Sequence, residues 1–104
     1  MSLKHIKQRV EQGYCDKDVY NLDAYFLQVF IPALKQLKAS QYGHPARMTE
    51  QQWTDILNKM ISHFEAIDLY YDKLPMNKQG MATNEYHIQA GFRLFADYFT
   101  DLWI

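Results

Sequence analysis

One cysteine, Cys15, is the only thiol among the 104 residues, so no disulfide forms within the chain. No run reaches the roughly 18 apolar residues of a membrane span, so no membrane segment is predicted. The first residues lack the apolar core of a signal peptide, and a cytoplasmic location is expected. The formal net charge of −1 lacks the basic surplus of a duplex binder, so nucleic acid is not an expected partner.

Catalytic and metal-binding motifs are also missing. The four histidines show neither the i, i+4 spacing nor the HExxH pattern of a zinc helix. The chain has no glycine-rich phosphate loop, no G-x-S-x-G and no EF-hand loop. Cys15 is interpreted as a residue near a helix N-terminus rather than a nucleophile. No catalytic residue, no metal site and no cofactor is therefore predicted.

Acidic residues cluster at Asp16, Asp18 and Asp23. They suit a divalent cation or an arginine of a partner. Helix capping by Asp16 and Asp18, with an internal polar bond for Asp23, explains the same residues and is the favoured interpretation.

The most apolar long stretch is the segment 13–38, which is predicted to be the centre of the fold. Its apolar residues follow two stripes of helical spacing, which predicts a helix over about 17–39 that is buried on several sides. Asp16 is the predicted N-cap. Pro32 predicts a kink near Gln28 to Ile31, and a break into two helices is the alternative.

Two further helices follow a linker at 40–48. Thr49 and Gln52 form a capping box that predicts a helix over about 50–70. A helix over about 84–103 ends the chain, and Gly91 inside it predicts a close helix crossing.

The stretch between these helices, 68–84, is predicted to be a long loop because it contains Pro75 and Gly80. No alternating strand pattern is present. The expected fold is all-α, a single domain over 1–104 with a small bundle of three principal helices, and a short helix before Gly13 remains open.

Aromatic residues are abundant, at 15% of the chain with eight tyrosines. A small core encloses few tyrosines with paired hydroxyls, and exposed tyrosines favour protein interfaces and stacking on bases. Tyr70 and Tyr71 form the predicted surface patch, although a place at the rim of the core explains them equally well. The predicted ligand- or partner-binding residues are Tyr14, Tyr20, Asp23, Tyr70, Tyr71, Lys73, Tyr86 and Arg93.

Several segments together resemble short proteins encoded by tailed bacteriophages. The segments are 13–18 (GYCDKD), 20–23 (YNLD), 32–35 (PALK), 53–61 (WTDILNKMI) and 94–103 (LFADYFTDLW). The pattern there is roughly G-aromatic-S-D-x-D-x-W-N-L-D, then P-x-L-K, E-E-W-x-x-I-L-x-K-M-I and Y-F-x-x-L-W. Here Cys15 replaces the serine and Tyr20 the tryptophan. The resemblance covers most of the chain outside 68–84, and it implies an origin rather than an activity.

The favoured hypothesis is a non-enzymatic phage accessory protein that acts in the host cytoplasm by binding. It would block a host protein, such as a defence component, or sequester a small nucleotide signal by tyrosine stacking and Lys or Arg contacts. The apolar stripes of the segment 13–38 predict a homo-oligomer. The alternatives are a self-associating virion or assembly protein and, ranked last, a metal-dependent enzyme that uses Asp16, Asp18 and Asp23.

Overall fold

The computed structural model describes residues 1–40, 43–73 and 77–103, with the side chains of residues 72 and 73 left out. All regular structure in these ranges is helical, which confirms the all-α class. In chain order the elements are α1 (Leu3–Gln12), α2 (Asp16–Tyr20), α3 (Leu22–Ala39), α4 (Glu50–Lys73), α5 (Lys78–Asp97) and a 3₁₀ turn (Phe99–Asp101). α1 is a helix before Gly13, whose presence the sequence did not decide. The predicted count of three principal helices is not confirmed.

α4 lies at the centre of the bundle, between α3 and α5. Its apolar residues recur every three or four positions and so reach both neighbours. Seven residues of α4 are each at most 6% exposed: Trp53, Leu57, Met60, Ile61, Phe64, Ile67 and Tyr70. α3 adds Leu27, Ile31 and Leu34 to the buried residues. The prediction that the segment 13–38 is central is therefore wrong, because part of its apolar surface, including the half-exposed Val29, faces solvent.

The predicted helix over 17–39 is divided at Asn21, and α3 continues through Pro32 without the break into two helices that was the alternative there. Asn21 has non-helical dihedral angles (φ −133°, ψ 62°), and its carbonyl accepts the bond from Tyr25 N that starts α3. Asparagine competes for backbone hydrogen bonds and thereby favours helix ends. Pro32 removes one backbone bond, but the buried Ile31 and Leu34 on either side keep α3 helical through it.

Both bounds of the predicted loop over 68–84 are wrong, because α4 continues to Lys73 and α5 starts at Lys78. Asn77 is the cap that sequence reasoning missed: its side chain accepts a 2.8 Å hydrogen bond from Gly80 N. Residues 74–76, with Pro75, lie outside the described residues. α5 ends at Asp97 instead of continuing to 103, and the chain tightens there into the 3₁₀ turn.

The predicted close crossing at Gly91 is confirmed. A Cβ atom at this position would lie 3.1 Å from His63 Cβ and 3.5 Å from Phe64 Cε1. Because α4 and α5 approach so closely here, the rings of α3, α4 and α5 form one cluster. Its members are Phe26, Phe30, Phe64, Phe92 and Phe95, with ring centroids 5.0 to 6.4 Å apart.

α1 and α2 form an arm, defined here as residues 3–20. Arg9 Nε donates a 2.9 Å hydrogen bond to Asp18 Oδ2, and Cys15 N donates to the same oxygen over 2.8 Å. Cys15 is thus the N-cap of α2, one residue before the predicted cap Asp16, which forms hydrogen bonds with Gln8 instead. Within the described ranges, no Cα atom of α1 or α2 lies within 8 Å of a Cα atom of α4 or α5.

The molecule is flat, with extents of 45 × 40 × 19 Å. Its radius of gyration is 15.9 Å, against about 13 Å for a compact chain of this length. The arm, which contacts α3 through the hydrogen bond from the Tyr25 hydroxyl to Gly13 O, lies beside the bundle rather than across α4 and α5.

Candidate binding groove

An apolar groove of about 420 Å³ opens between α3, α4 and α5. This volume falls within the range of about 300–1,000 Å³ that is usual for ligand pockets. We name it the α3–α5 groove, and its lining residues are Leu22, Asp23, Phe26, Leu27, Ile67, Tyr71, Ile88 and Phe92. The groove forms where the side chains of α3 and α5 meet above α4. Two rings of its lining, Phe26 and Phe92, stack with centroids 5.7 Å apart.

One polar pair lies at the rim of the α3–α5 groove. The Tyr71 hydroxyl donates a 2.9 Å hydrogen bond to Asp23 Oδ2, which joins the last turns of α4 to the first turn of α3. The other carboxylate oxygen accepts from Ala24 N over 2.8 Å. The hydrogen bond to Asp23, followed by burial, raises the pKa of the Tyr71 hydroxyl above its usual 10.0. Two residues predicted as binding residues are therefore brought together across the fold.

The predicted surface patch at Tyr70 and Tyr71 is divided between core and surface. Tyr70 is 6% exposed and belongs to the core, whereas Tyr71 is 54% exposed. Because neighbours on a helix point about 100° apart, only one of two adjacent residues faces the solvent here. The prediction of an exposed patch is wrong for Tyr70. The side chain of Lys73 lies outside the described residues.

Tyr86 and Arg93 lie on a different face, the outer surface of α5. With Gln89, Ala90 and Phe92 they line a shallow depression of about 580 Å³. The Tyr86 ring also contacts His63 and His87 edge-on, with centroids 5.7 and 5.1 Å apart. Phe92 lines both this depression and the α3–α5 groove, so the two sites are adjacent on α5.

Tyr14 and Tyr20 belong to neither site. Tyr14 lies between α1 and α2, Tyr20 ends α2, and both rings are exposed. The structure therefore does not combine the predicted tyrosines in a single binding surface. They are distributed over the arm, the groove rim and the outer face of α5.

Sequence reasoning missed the apolar lining of the groove. The helical patterns assign Leu22, Phe26, Ile88 and Phe92 to core faces, yet all four line the α3–α5 groove. Leu22 and Phe92 are also exposed enough to count as surface. The signal was present in the two apolar stripes of the segment 13–38, because too few helices exist to cover both.

A histidine pair is a second feature that local spacing did not reveal. His63 of α4 and His87 of α5 face each other with their Nδ1 atoms 3.0 Å apart. Burial, then the neighbouring His87, then Lys59 lowers the pKa of His63 below its usual 6.5. A hydrogen bond between the two Nδ1 atoms needs one of them to donate its N–H and the other to accept, so at least one of the two rings is neutral in this contact.

No set of three His, Cys, Asp or Glu side chains is placed to hold a metal ion in the part of the chain that the structure describes. Cys15 is fully buried in the arm. In the same described part, no helix is both long enough and apolar enough to cross a lipid bilayer.

Comparison with known proteins found no match: no family model, curated protein or solved structure is similar to the chain. The α3–α5 groove is therefore interpreted from its own geometry.

Proposed function

We propose that this chain is a non-enzymatic accessory protein of tailed-phage origin that acts in the host cytoplasm by binding a host protein, such as a defence component. The α3–α5 groove is the binding site in this proposal. The observation that carries it is a groove lined by apolar side chains, with Asp23 and Tyr71 as a polar pair at its rim. The phage origin is supported by the segments that resemble phage proteins.

The lining of the groove defines the chemistry of the partner. Apolar side chains of a partner helix would be transferred from water into contact with Phe26, Ile88 and Phe92. Each such side chain that becomes fully buried would contribute about 1.5–3 kcal/mol to the free energy of binding. A Lys or Arg beside them would pair with the carboxylate of Asp23. The expected partner segment is an amphipathic helix with a basic residue next to its apolar stripe.

The decisive experiment compares baits in a pull-down from infected host cells. Leu22→Asp places a charge in the groove, whereas Val29→Asp places one on a similarly exposed apolar site of α3 outside it. Circular dichroism first establishes that both variants are folded. We expect a host protein that the wild type and Val29→Asp capture and Leu22→Asp loses by at least tenfold. Equal capture by both variants would exclude the groove as the site.

A nucleotide signal is the second candidate ligand, favoured by Tyr86 and Arg93 on one face of α5. The tyrosine ring would stack on a base and the guanidinium would pair with a phosphate. A thermal-shift screen against cyclic and linear nucleotides tests this candidate, since a specific ligand must raise the melting midpoint. No shift with any nucleotide eliminates it.

A virion or assembly role is the third candidate, supported by the exposed apolar surface of the arm. Mass spectrometry of purified phage particles tests it directly. Detection of the chain at structural stoichiometry would replace the accessory role by this one, and absence from particles excludes a stable virion component.

A further inference from the structure

The chain exposes more surface than a compact monomer of its size. Its accessible surface is 7520 Å², whereas a folded monomer of 12.4 kDa exposes about 6,100 Å². The surplus of about 1,400 Å² exceeds the roughly 800 Å² that each partner buries in a standard protein interface. The surplus surface is therefore large enough for a standard protein–protein interface.

Part of this surplus lies on α1. Leu3, Ile6 and Val10 form an apolar stripe along it and are 81%, 49% and 81% exposed. An isolated helix of ten residues is marginal in water. Yet α1 is well made, because the Ser2 side chain accepts a hydrogen bond from His5 N and Gly13 ends the helix with a φ of 90°. A helix prepared in this way, with its apolar stripe uncovered, requires a surface to pack on.

The α3–α5 groove and α1 complement each other in chemistry. The groove offers apolar side chains with the carboxylate of Asp23 at the rim. α1 carries Lys4 and Lys7 on one flank of its apolar stripe. Their side chains are largely exposed and form only surface pairs, Lys4 with Asp16 over 3.5 Å and Lys7 with Glu11 over 3.9 Å. In the described residues, α1 of the same chain does not reach α4 or α5. Leu22 lines the groove and is separated from the end of α2 by Asn21 alone, so the arm joins the rest of the chain at the edge of the groove.

We propose that α1 of a second copy occupies the α3–α5 groove, in a two-fold dimer in which each copy places its arm on the other. The inference rests on the proposed function, since it names the resident occupant of the same groove. Such an interface is isologous, because the arm of each copy meets the groove of its partner. Each chain then buries an arm stripe and a groove, which accounts for both uncovered apolar surfaces at once. A host segment gains access by displacing the arm.

Crosslinking between chains of different tags tests this arrangement. One chain carries Val10→Cys and the other carries Phe92→Cys or, as a second position, the exposed rim residue Tyr71→Cys. The chains are coexpressed and treated with a short bismaleimide, and the buried native Cys15 serves as an unreactive background in wild-type controls. We expect a crosslinked heterodimer from the mixed chains and at least tenfold less from Val10→Cys alone. Light scattering should give twice the chain mass of 12.4 kDa.

Two results would overturn the inference. One is a monomer mass at millimolar concentration, and the other is efficient crosslinking of Val10→Cys to itself, which places the two arms against each other. The variant Val10→Glu separates dimerisation from function, since it charges the arm stripe and leaves the groove intact. A monomeric Val10→Glu bait that still captures the host protein supports both proposals. Crosslinking without groove-dependent capture removes the proposed function alone, and groove-dependent capture by a monomeric wild type removes the dimer alone.

Discussion

At the scale of single residues, the polar contacts between distant segments carry the most specific information. Tyr71 and Asp23 are 48 residues apart, and His63 and His87 are 24 apart. Neither pair follows from local spacing, because helical periodicity relates only residues three or four positions apart. We expect each pair to make a measurable contribution to the stability of the fold.

Replacing Tyr71 by Phe removes the hydrogen bond to Asp23 and keeps the ring. We expect the free energy of unfolding to fall by about 0.5–1 kcal/mol, the lower part of the usual range because the pair is exposed. Urea denaturation measures it. Tyr20→Phe, at the most exposed tyrosine of the arm, is the control and should change nothing. Equal stability of both variants would show that the rim bond does not hold α3 to α4.

The histidine pair makes stability depend on pH. The folded pKa of His63 lies below 6.5, so the unfolded chain takes up the proton first as the pH falls. Stability is therefore fully present above pH 6.5 and is lost as the pH falls below it. We expect His63→Gln to reduce the change in melting midpoint between pH 7 and pH 5. The exposed His44→Gln should keep the wild-type slope, and a flat wild-type profile would contradict the prediction.

At the scale of helices, some of the fold was predictable from the sequence. The Thr49 and Gln52 capping box located the start of α4, because both members hydrogen-bond locally, over 3.1 and 2.8 Å. The break at Asn21 was not predictable, since the apolar pattern runs through it without interruption. The start of α5 at Asn77 was hidden because Pro75 and Gly80 together are typical of a loop.

The candidate site was predictable only in part. Asp23 and Tyr71 were singled out, but Tyr70 was placed on the wrong side of α4. Residues of the groove such as Phe92 look like core residues in any helical pattern. Whether such a residue is covered depends on how many helices pack over it, which periodicity does not contain.

The crossing of α4 and α5 provides a test at this scale. Gly91→Ala would gain up to about 1 kcal/mol of helix propensity. The added Cβ, however, would lie 3.1 Å from His63 Cβ, which is attached to the backbone of α4 and cannot rotate away. Because strain from overpacking costs about 1–3 kcal/mol, we expect a net loss of about 1 kcal/mol in chemical denaturation.

The matched control for this test is Gly43→Ala, where nothing lies within 4 Å of the new Cβ. We expect this variant to be neutral or slightly stabilising. A Gly91→Ala protein more stable than the wild type would mean that the two helices move apart at little cost.

At the scale of the whole molecule, flatness and surplus surface are the main observations. A compact monomer would hide the apolar stripe of α1 and the lining of the α3–α5 groove, and this chain hides neither. If a second copy covers them, stability depends on protein concentration. We expect the melting midpoint of the wild type to rise by several degrees between 1 and 100 µM. The midpoint of Val10→Glu should stay constant, and a constant wild-type midpoint would contradict self-association.

The arm also bears on the order in which folding and self-association occur. Its polar contacts join residues close in sequence, such as Arg9 and Asp18, and the closest packing in the bundle joins the consecutive helices α4 and α5. Short-range topology of this kind folds within microseconds to milliseconds. In the proposed dimer, the pairing of two arms with two grooves waits for an encounter, so its rate would scale with concentration. A newly made, dilute chain would then be folded with its groove open for an interval, and we expect stopped-flow refolding to resolve this interval as a second phase that quickens as protein is added.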